Sequence, residues 1–439
     1  MKISIFWTWY VGLVTWACLA DLWHEILCID VDEKKIANLI AWIIPIYEHW
    51  LEEIVKKNIK NKRLSFSTNA KEGVEYGEVI FNAVGTPPDI VNADKADLTY
   101  VKQVASTFWK YITSYKILVN KSTVPVGTGD IVKKIVEEEL KKRATDIAFD
   151  IVSNPEFLRE WTAVKDFMLP DRIVCWVSSN SAKELMEEVY KPILRNYSSI
   201  FFTDVRSAEL AKYAANTFLA TKISFINEMA NFAEIVGANI QDVSRAIGLD
   251  KRIGNRFLHA GIGYGWSCFP KDVKALIASG EEVWFHFSIP LATEKINERQ
   301  KIIILEKIEK ATSLLWKTIC IWGLSFKPKT DDIREAPSIK VIESLLEKWV
   351  AKIQCFDPVA WENFKKQHSF ENVEVCSDEY EALKWSDILL IMTEWDEFRI
   401  ADIEKIKELM SGRYIGDGRN IFAPEEMKSH GFTYFGIGI

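Results

Sequence analysis

Residues 3–36 read ISIFWTWYVGLVTWACLADLWHEILCIDVDEKKI, and the spacing of their apolar side chains decides the fold. Ile3–Phe6 is a short β-rich run, Val11–Leu22 an amphipathic stretch, Glu25–Val31 a second apolar run and Asp32–Leu39 a second amphipathic one. Strand, helix, strand, helix at this spacing predicts a βαβ unit and hence a parallel sheet. The first strand-to-helix turn, FWTWYVG, stands where a dinucleotide fingerprint GxGxxG would stand. Only its last glycine, Gly12, is present, and Trp7 and Trp9 take the other two places. Glycine there makes the tight turn and lets backbone N–H groups approach a pyrophosphate. An indole fills that space and lacks glycine's access to positive φ. Asp30, ending the second strand, is either an acid placed to accept ribose hydroxyls or a strand-end turn residue.

The alternation continues with strands at Glu78–Val84, Ile117–Lys121, Asp150–Ser153 and Ile173–Val177, and a helix over Asp130–Arg143. Ser207–Val236 then reads as one helix about 45 Å long, with Ser207 as N-cap and Gly237 just past its end. Shorter helical patterns run to Lys307. From Thr318 the first pattern returns, with strands Thr318–Trp322, Ala351–Phe356 and Asp387–Met392 and a helix at Ser338–Lys348; KIQCFDPVAWENF repeats the order of EILCIDVDEKKI. The expected class is α/β: two doubly wound Rossmann-like domains joined by a long central helix and a helical middle domain, divided as 1–203, 204–312 and 313–439.

Composition narrows the function. With 55 Lys+Arg against 62 Asp+Glu the net charge is −7, which argues against nucleic acid as a partner; the basic run Lys56–Arg63 reads as a solvated helix face. Seven scattered cysteines without a CxxC pair suggest neither a disulfide framework nor a metal site, and reduced thiols fit the cytoplasm. Ile3–Ala20 carries no charge, but Ser4, Thr8 and Thr15 interrupt it and Asp21, His24 and Glu25 follow at once, so no membrane segment is expected. Tryptophan is the anomaly: 17 Trp against only 20 Gly, with indoles where turns are expected.

Two stretches carry chemistry. SNPEFLRE, residues 153–160, places Asn154 as a helix N-cap, Pro155 at the first helical position, and Glu156 and Glu160 four apart on one face. FLHAGIGYGWSCFPKD, residues 257–272, has glycines at 261, 263 and 265 that let backbone wrap a ligand. Cys268 follows on a loop with Lys271 and Asp272 nearby, a candidate nucleophile. Lys212 and Asn216 stand one turn apart on the long helix.

These segments, with STVPVGTGD (Ser122–Asp130), SNPEFLREWTAVKDFMLPDRIV (Ser153–Val174), AELAKYAANTFLATKISFINE (Ala208–Glu228) and WGLSFKPKTDDIREAPS (Trp322–Ser338), closely resemble the UDP-glucose/GDP-mannose dehydrogenase family, and the FPKD ending looks like its UDP-glucose branch. The resemblance runs from Met1 to about Gly438. It implies an NAD-dependent four-electron oxidation of a sugar C6 alcohol to a carboxylate in a cytoplasmic homodimer. Cys268 would capture the aldehyde as a thiohemiacetal that becomes a thioester. Lys212 and Asp272 would surround the reacting oxygen and water, Asn216 would hold the oxyanion, and Thr123 and Glu156 would position the water. Gly12, Asp30, Lys35, Thr86, Thr123, Glu160 and Arg334 would contact NAD. Glu156, Lys212, Asn216, the loop Phe257–Gly263 and Lys327 would hold UDP-glucose, and Arg252 would reach the substrate of a neighbouring subunit.

Where the family pattern has glycine, tryptophan stands at 7, 9, 16, 23, 42, 50, 161, 266, 349 and 385. Trp7 and Trp9 oppose NAD binding, and Trp161 and Trp266 flank Glu160 and Cys268. If several of these fall at positive φ or in packed positions, their cost exceeds a domain's margin of about 5–15 kcal/mol, which leads to the expectation that the natural chain carries other residues there. Taken at face value, the tryptophans leave a non-catalytic nucleotide-sugar binder as the alternative. A dehydrogenase of GDP-mannose or an N-acetylated UDP-hexosamine is a third reading.

Overall fold

The computed structural model describes residues 1–439 except 8, 47, 90–93, 195–199 and 266–267. The chain folds as two compact units, Met1–Ala215 and Asn216–Ile439. Among the described residues the first unit holds eight strands: β1 Lys2–Phe6, β2 Glu25–Ile29, β3 Leu64–Ser67, β4 Val79–Asn82, β5 Lys116–Asn120, β6 Phe149–Ser153, β7 Ile173–Trp176 and β8 Ile200–Thr203. They form one sheet in the order β3-β2-β1-β4-β5-β6-β7-β8, with β6 and β7 the antiparallel pair.

The alternation of side chains explains why this sheet is covered on both faces. Ile3 and Ile5 of β1 and Ile117 and Val119 of β5 join one core cluster, whereas Phe6 and Leu118 join the cluster on the opposite face. A strand apolar on both faces needs helices on both, which is the doubly wound arrangement.

In the second unit the strands are β9 Thr318–Trp322, β10 Lys352–Phe356, β11 Val373–Val375, β12 Ile388–Ile391, β13 Tyr414–Asp417 and β14 Thr433–Phe435, all parallel and ordered β11-β10-β9-β12-β13-β14. That is the order of the first six strands of the other sheet. Ile388 and Leu390 face one cluster, and Leu389 and Ile391 the other. Just past β10, Asp357 is fully buried and accepts from the N–H groups of Leu324, Ser325, Val359 and Ala360, the Ser325 hydroxyl and the Trp395 indole, at 2.7–3.3 Å.

The long helix runs Val205–Val236, continuous through the boundary of the two units. It starts two residues before Ser207, because the Asp204 carboxylate accepts from the Ser207 N–H at 2.9 Å and takes the capping role assigned to the serine. Gly237 follows its end with φ +73°.

Candidate functional site

In the first unit the fingerprint turn follows β1. Trp7 has φ +99°, a region that glycine enters freely and a bulky side chain does not. A Cβ on Gly12 would come within 2.1 Å of the Trp7 carbonyl oxygen, so the last glycine of the motif is required by close packing. Trp9 is the N-cap of helix Tyr10–Asp21 and makes no side-chain capping bond. Lys35 Nζ lies 5.0 Å from the Trp7 ring centroid and 5.7 Å from that of Trp9. Asp30 is buried just past β2, and its Oδ1 accepts from the Asp32 N–H at 3.0 Å, an arrangement that suits a ribose-binding acid. The two indoles do not suit a phosphate cradle, because they and the lysine fill the space a pyrophosphate needs.

The carboxyl ends of β4 and β5 meet through Thr86, whose hydroxyl donates to the Thr123 carbonyl at 2.9 Å. Next to them lies a buried polar cluster. Lys212 Nζ is 3.2 Å from Glu156 Oε1 and 5.3 Å from the Phe157 ring, and both charged side chains are buried. Asn154 was expected to cap a helix containing Glu156 and Glu160; instead residues 154–159 are irregular and the helix begins at Ala163. The Asn154 side chain is committed elsewhere. Its oxygen accepts from Lys121 Nζ at 3.1 Å and Tyr190 Oη at 2.5 Å, and its amide donates to the Val174 carbonyl at 2.8 Å. Glu160 is buried all the same. Burial pulls the Lys121 ammonium down to about 8, and the Glu156 carboxylate partly offsets this. Sequence reading missed Lys121; its place directly before Ser122 and Thr123 was the available signal.

Glu209 on the long helix accepts from the N–H groups of Gly127 and Gly129 at 2.6 and 2.8 Å. It thereby closes the start of helix Thr128–Lys142, and burial raises its carboxyl to about 7.

In the second unit Asn216 Nδ2 donates to Asp272 Oδ2 at 2.6 Å, while Lys271 Nζ is 2.8 Å from Asp272 Oδ1. Cys268 is the N-cap of helix Phe269–Glu282, half-buried, and its carbonyl accepts from the Asp272 N–H at 2.8 Å. The positive end of that helix favours negative charge at the sulfur. Trp266 lies outside the described residues.

Three fully buried amides hold the glycine loop. Asn227 Oδ1 accepts from the Gly261 N–H, Gln300 Nε2 donates to the Gly261 carbonyl, and Asn297 exchanges two bonds with Tyr264. Gly263, at φ +90°, could not carry a Cβ: it would meet Asn297 Oδ1 at 2.7 Å. Phe257 is also left-handed, at φ +64°, with its ring 6.2 Å from Phe269. Arg419 ties this loop to the next, donating to the carbonyls of Met392, Phe326 and Gly263 at 2.9–3.5 Å, beside Lys327. Neither Arg419 nor the three amides was singled out in the sequence, because their partners lie far away along it.

Arg334 forks onto Asp332, and Arg252 is exposed and forks onto Asp250. Among the described residues no group of three His, Cys, Asp or Glu side chains could hold a metal ion, and no helix is long and apolar enough to cross a membrane.

Three family models match: the NAD binding domain of the UDP-glucose/GDP-mannose dehydrogenase family over residues 1–194, its central domain over 206–299 and its UDP binding domain over 320–424. UDP-glucose 6-dehydrogenase TuaD of Bacillus subtilis is 42% identical over 438 residues, covering 100% of this chain and 93% of its own. The UDP-glucose 6-dehydrogenase of Rhizobium meliloti is 43% identical over 442 residues, covering 100% and 99%. Among solved structures, a UDP-glucose dehydrogenase from the hyperthermophilic archaeon Pyrobaculum islandicum superposes with a TM-score of 0.91 at 35% identity, covering 99% of this chain and 97% of that one.

Proposed function

Because the chain belongs to the UDP-glucose/GDP-mannose dehydrogenase family, we propose that it carries out the NAD-dependent oxidation of UDP-glucose to UDP-glucuronate, with Cys268 as the covalent nucleophile. The carrying observation is full-length similarity above 40% to enzymes named for that reaction, together with a thiol at a helix N-terminus one turn from Asp272. Each sugar consumes one water and reduces two NAD, which supply the hydride acceptor.

The chain's own residues do the rest. The Cys268 thiolate adds to the C6 aldehyde, forming a carbon–sulfur bond and an alkoxide that takes up a proton. Oxidation of this thiohemiacetal leaves a thioester, and water cleaves it, returning the thiol and a carboxylate. Lys212 and Asn216, four residues apart on the long helix, are assigned as an ammonium and an amide donor for the oxyanion. The Asp272 carboxylate fixes the Asn216 amide, and Glu156, held by Lys212, positions the water with Thr123. Thr86, Lys35, Asp30, Gly12, Glu160 and Arg334 are assigned to NAD. Lys327, Arg252 and the loop Phe257–Gly263 are assigned to the nucleotide sugar.

The domain division 1–203, 204–312 and 313–439 belongs to this reading and is supported by the three family segments. So does a cytoplasmic homodimer. Its support is that the cysteines form no disulfide among the described residues, with an exposed stripe of Phe218, Phe225 and Phe232 at seven-residue spacing on the long helix. Phe225→Glu should give a monomer by sedimentation; an unchanged sedimentation coefficient would place the interface elsewhere.

The test of the activity is NADH absorbance with limiting UDP-glucose: two NADH per sugar, lost in Cys268→Ser. UDP-glucose binding with no NADH from the native protein would refute it.

A further inference from the structure

Nine tryptophans have backbone in the left-handed region: Trp7, Trp23, Trp42, Trp50, Trp161, Trp284, Trp316, Trp349 and Trp385, with φ from +56° to +99°. They are nine of the sixteen described tryptophans, whereas one of 24 phenylalanines (Phe257) and only seven of 20 glycines lie there. A bulky residue in this region is ordinarily an outlier. In this chain tryptophan is found there more often than glycine.

Local geometry repeats the point. Trp23, Trp42 and Trp284 each follow a helix by two residues and close it with the same pair of bonds. For Trp23 these are its own N–H to the Ala20 carbonyl and the His24 N–H to the Leu19 carbonyl. This is the helix ending that favours glycine, and where the chain does use glycine, at Gly431, both bonds recur: Gly431 to Lys428 and Phe432 to Met427. Lys62 and Ala144 occupy such endings too, so a single side chain is tolerable there; the concentration in one residue type is what needs a cause.

The two sheets supply an internal control. Trp7 follows β1 with φ +99° and donates to the carbonyl of Ile29, the last residue of β2. Gly323 follows β9 with φ +95° and donates to the carbonyl of Phe356, the last residue of β10, both at 2.8 Å. The same turn is glycine in one copy and tryptophan in the other.

The side chains divide in the same way. Seven of the nine indoles are exposed, up to 98% for Trp284, whereas Trp322 and Trp395, outside the left-handed region, are buried in a core. Tryptophan is mostly buried when it is selected for its ring.

We infer that these nine tryptophans share a codon, distinct from the one behind Trp322 and Trp395, that is read as glycine in the organism that encodes this chain, so that the native protein carries glycine at all nine positions. UGA, which some genetic codes read as tryptophan beside UGG, differs from the glycine codon GGA only in the first base, so one altered anticodon recodes every UGA at once and leaves each UGG as tryptophan; nine separate mutations would have no common cause. Trp9 joins the set on other grounds. It shares the fingerprint turn with Trp7, caps its helix with backbone alone and is exposed. With glycine at both places the turn reads GxGxxG, and the space now filled by the two rings opens beneath Lys35 for a pyrophosphate. This consequence rests on the NAD-dependent reading; the residue assignment does not.

Tandem mass spectrometry of peptides from the protein purified from its source organism decides the assignment. Glycine is expected at the nine positions and at 9, with tryptophan at 322 and 395; tryptophan at 7, 23 and 284 would overturn it. The consequence is tested on two recombinant full-length chains, the sequence as written and one with Trp→Gly at the ten positions. The second should bind NAD at least tenfold more tightly by titration and unfold at a higher temperature, and equal affinity in both would overturn the consequence. Glycine in the native peptides with no NAD binding by either chain would refute the NAD-dependent reading and leave the assignment standing.

Discussion

Lys212 Nζ stands 3.2 Å from Glu156 Oε1 with both side chains buried, so each holds the other's charge in place. Removing one partner strands the other away from water, a loss of about 3–5 kcal/mol. Lys212→Met should therefore lower the unfolding temperature and abolish NADH formation. Lys212→Met with Glu156→Gln should recover most of the stability and none of the activity. Thermal unfolding and NADH absorbance on the three chains check this.

Lys121 is a positioning residue beneath that pair. Its folded-state value, about 8, lies below the ordinary lysine value, so between about pH 8 and 10.5 the unfolded chain binds more protons than the native one and stability rises with pH. Against Lys121→Met, which has no such proton, the wild-type chain should gain on the order of 2–3 kcal/mol across that window. Denaturant unfolding at pH 7.5 and 10.5 measures it. A flat difference would mean that the lysine holds its proton in the fold as it does in the unfolded chain, with no lowering by burial.

Glu209 gives the opposite sign. Its carboxyl is raised to about 7 by burial, so its contribution is complete below about pH 4.5 and is lost as pH rises through 7. Glu209→Gln keeps an acceptor for one of the two N–H groups, since Oε1 serves Gly129 and Oε2 serves Gly127, and it has no charge to bury. Relative to the wild-type chain it should gain on the order of 2–3 kcal/mol between pH 4.5 and 7.5, read from unfolding curves at the two values.

Asn297→Leu keeps the side chain's size and removes both bonds to Tyr264. Leaving a buried donor and acceptor unmet costs about 1–3 kcal/mol each, and the loop that carries Gly261 and Gly263 loses its register. The expected result is a KM for UDP-glucose raised tenfold or more, with a smaller change in kcat. Steady-state kinetics on the two chains separates this from a general loss of folding.

The parallel sheets were legible in the sequence because their strands are apolar on both faces, as Ile117, Leu118 and Val119 illustrate. The repeat of one supersecondary order in both halves was legible for the same reason. Short or half-exposed strands such as β3, β8 and β14 lack that signal, and their pairing comes from tertiary context. Asn154 shows where local rules fail: an Asn-Pro pair reads as a helix start, but Lys121 and Tyr190, distant in sequence, claim its side chain. Ser207 lost its capping role to a neighbour three residues earlier. Asn227, Asn297, Gln300 and Arg419 could not be found from spacing, since each acts across tens of residues on a backbone group.

Asp357 occupies, in the second sheet, the place that Asp30 holds in the first. A carboxylate offers about four lone-pair sites, and Asp357 meets six donors from its own chain. That acid is stitched shut and has nothing left to offer a sugar diol. One architecture used twice thus escapes competing for one ligand, since the acid assigned to the dinucleotide at one strand end corresponds, at the other, to a rivet binding three loops.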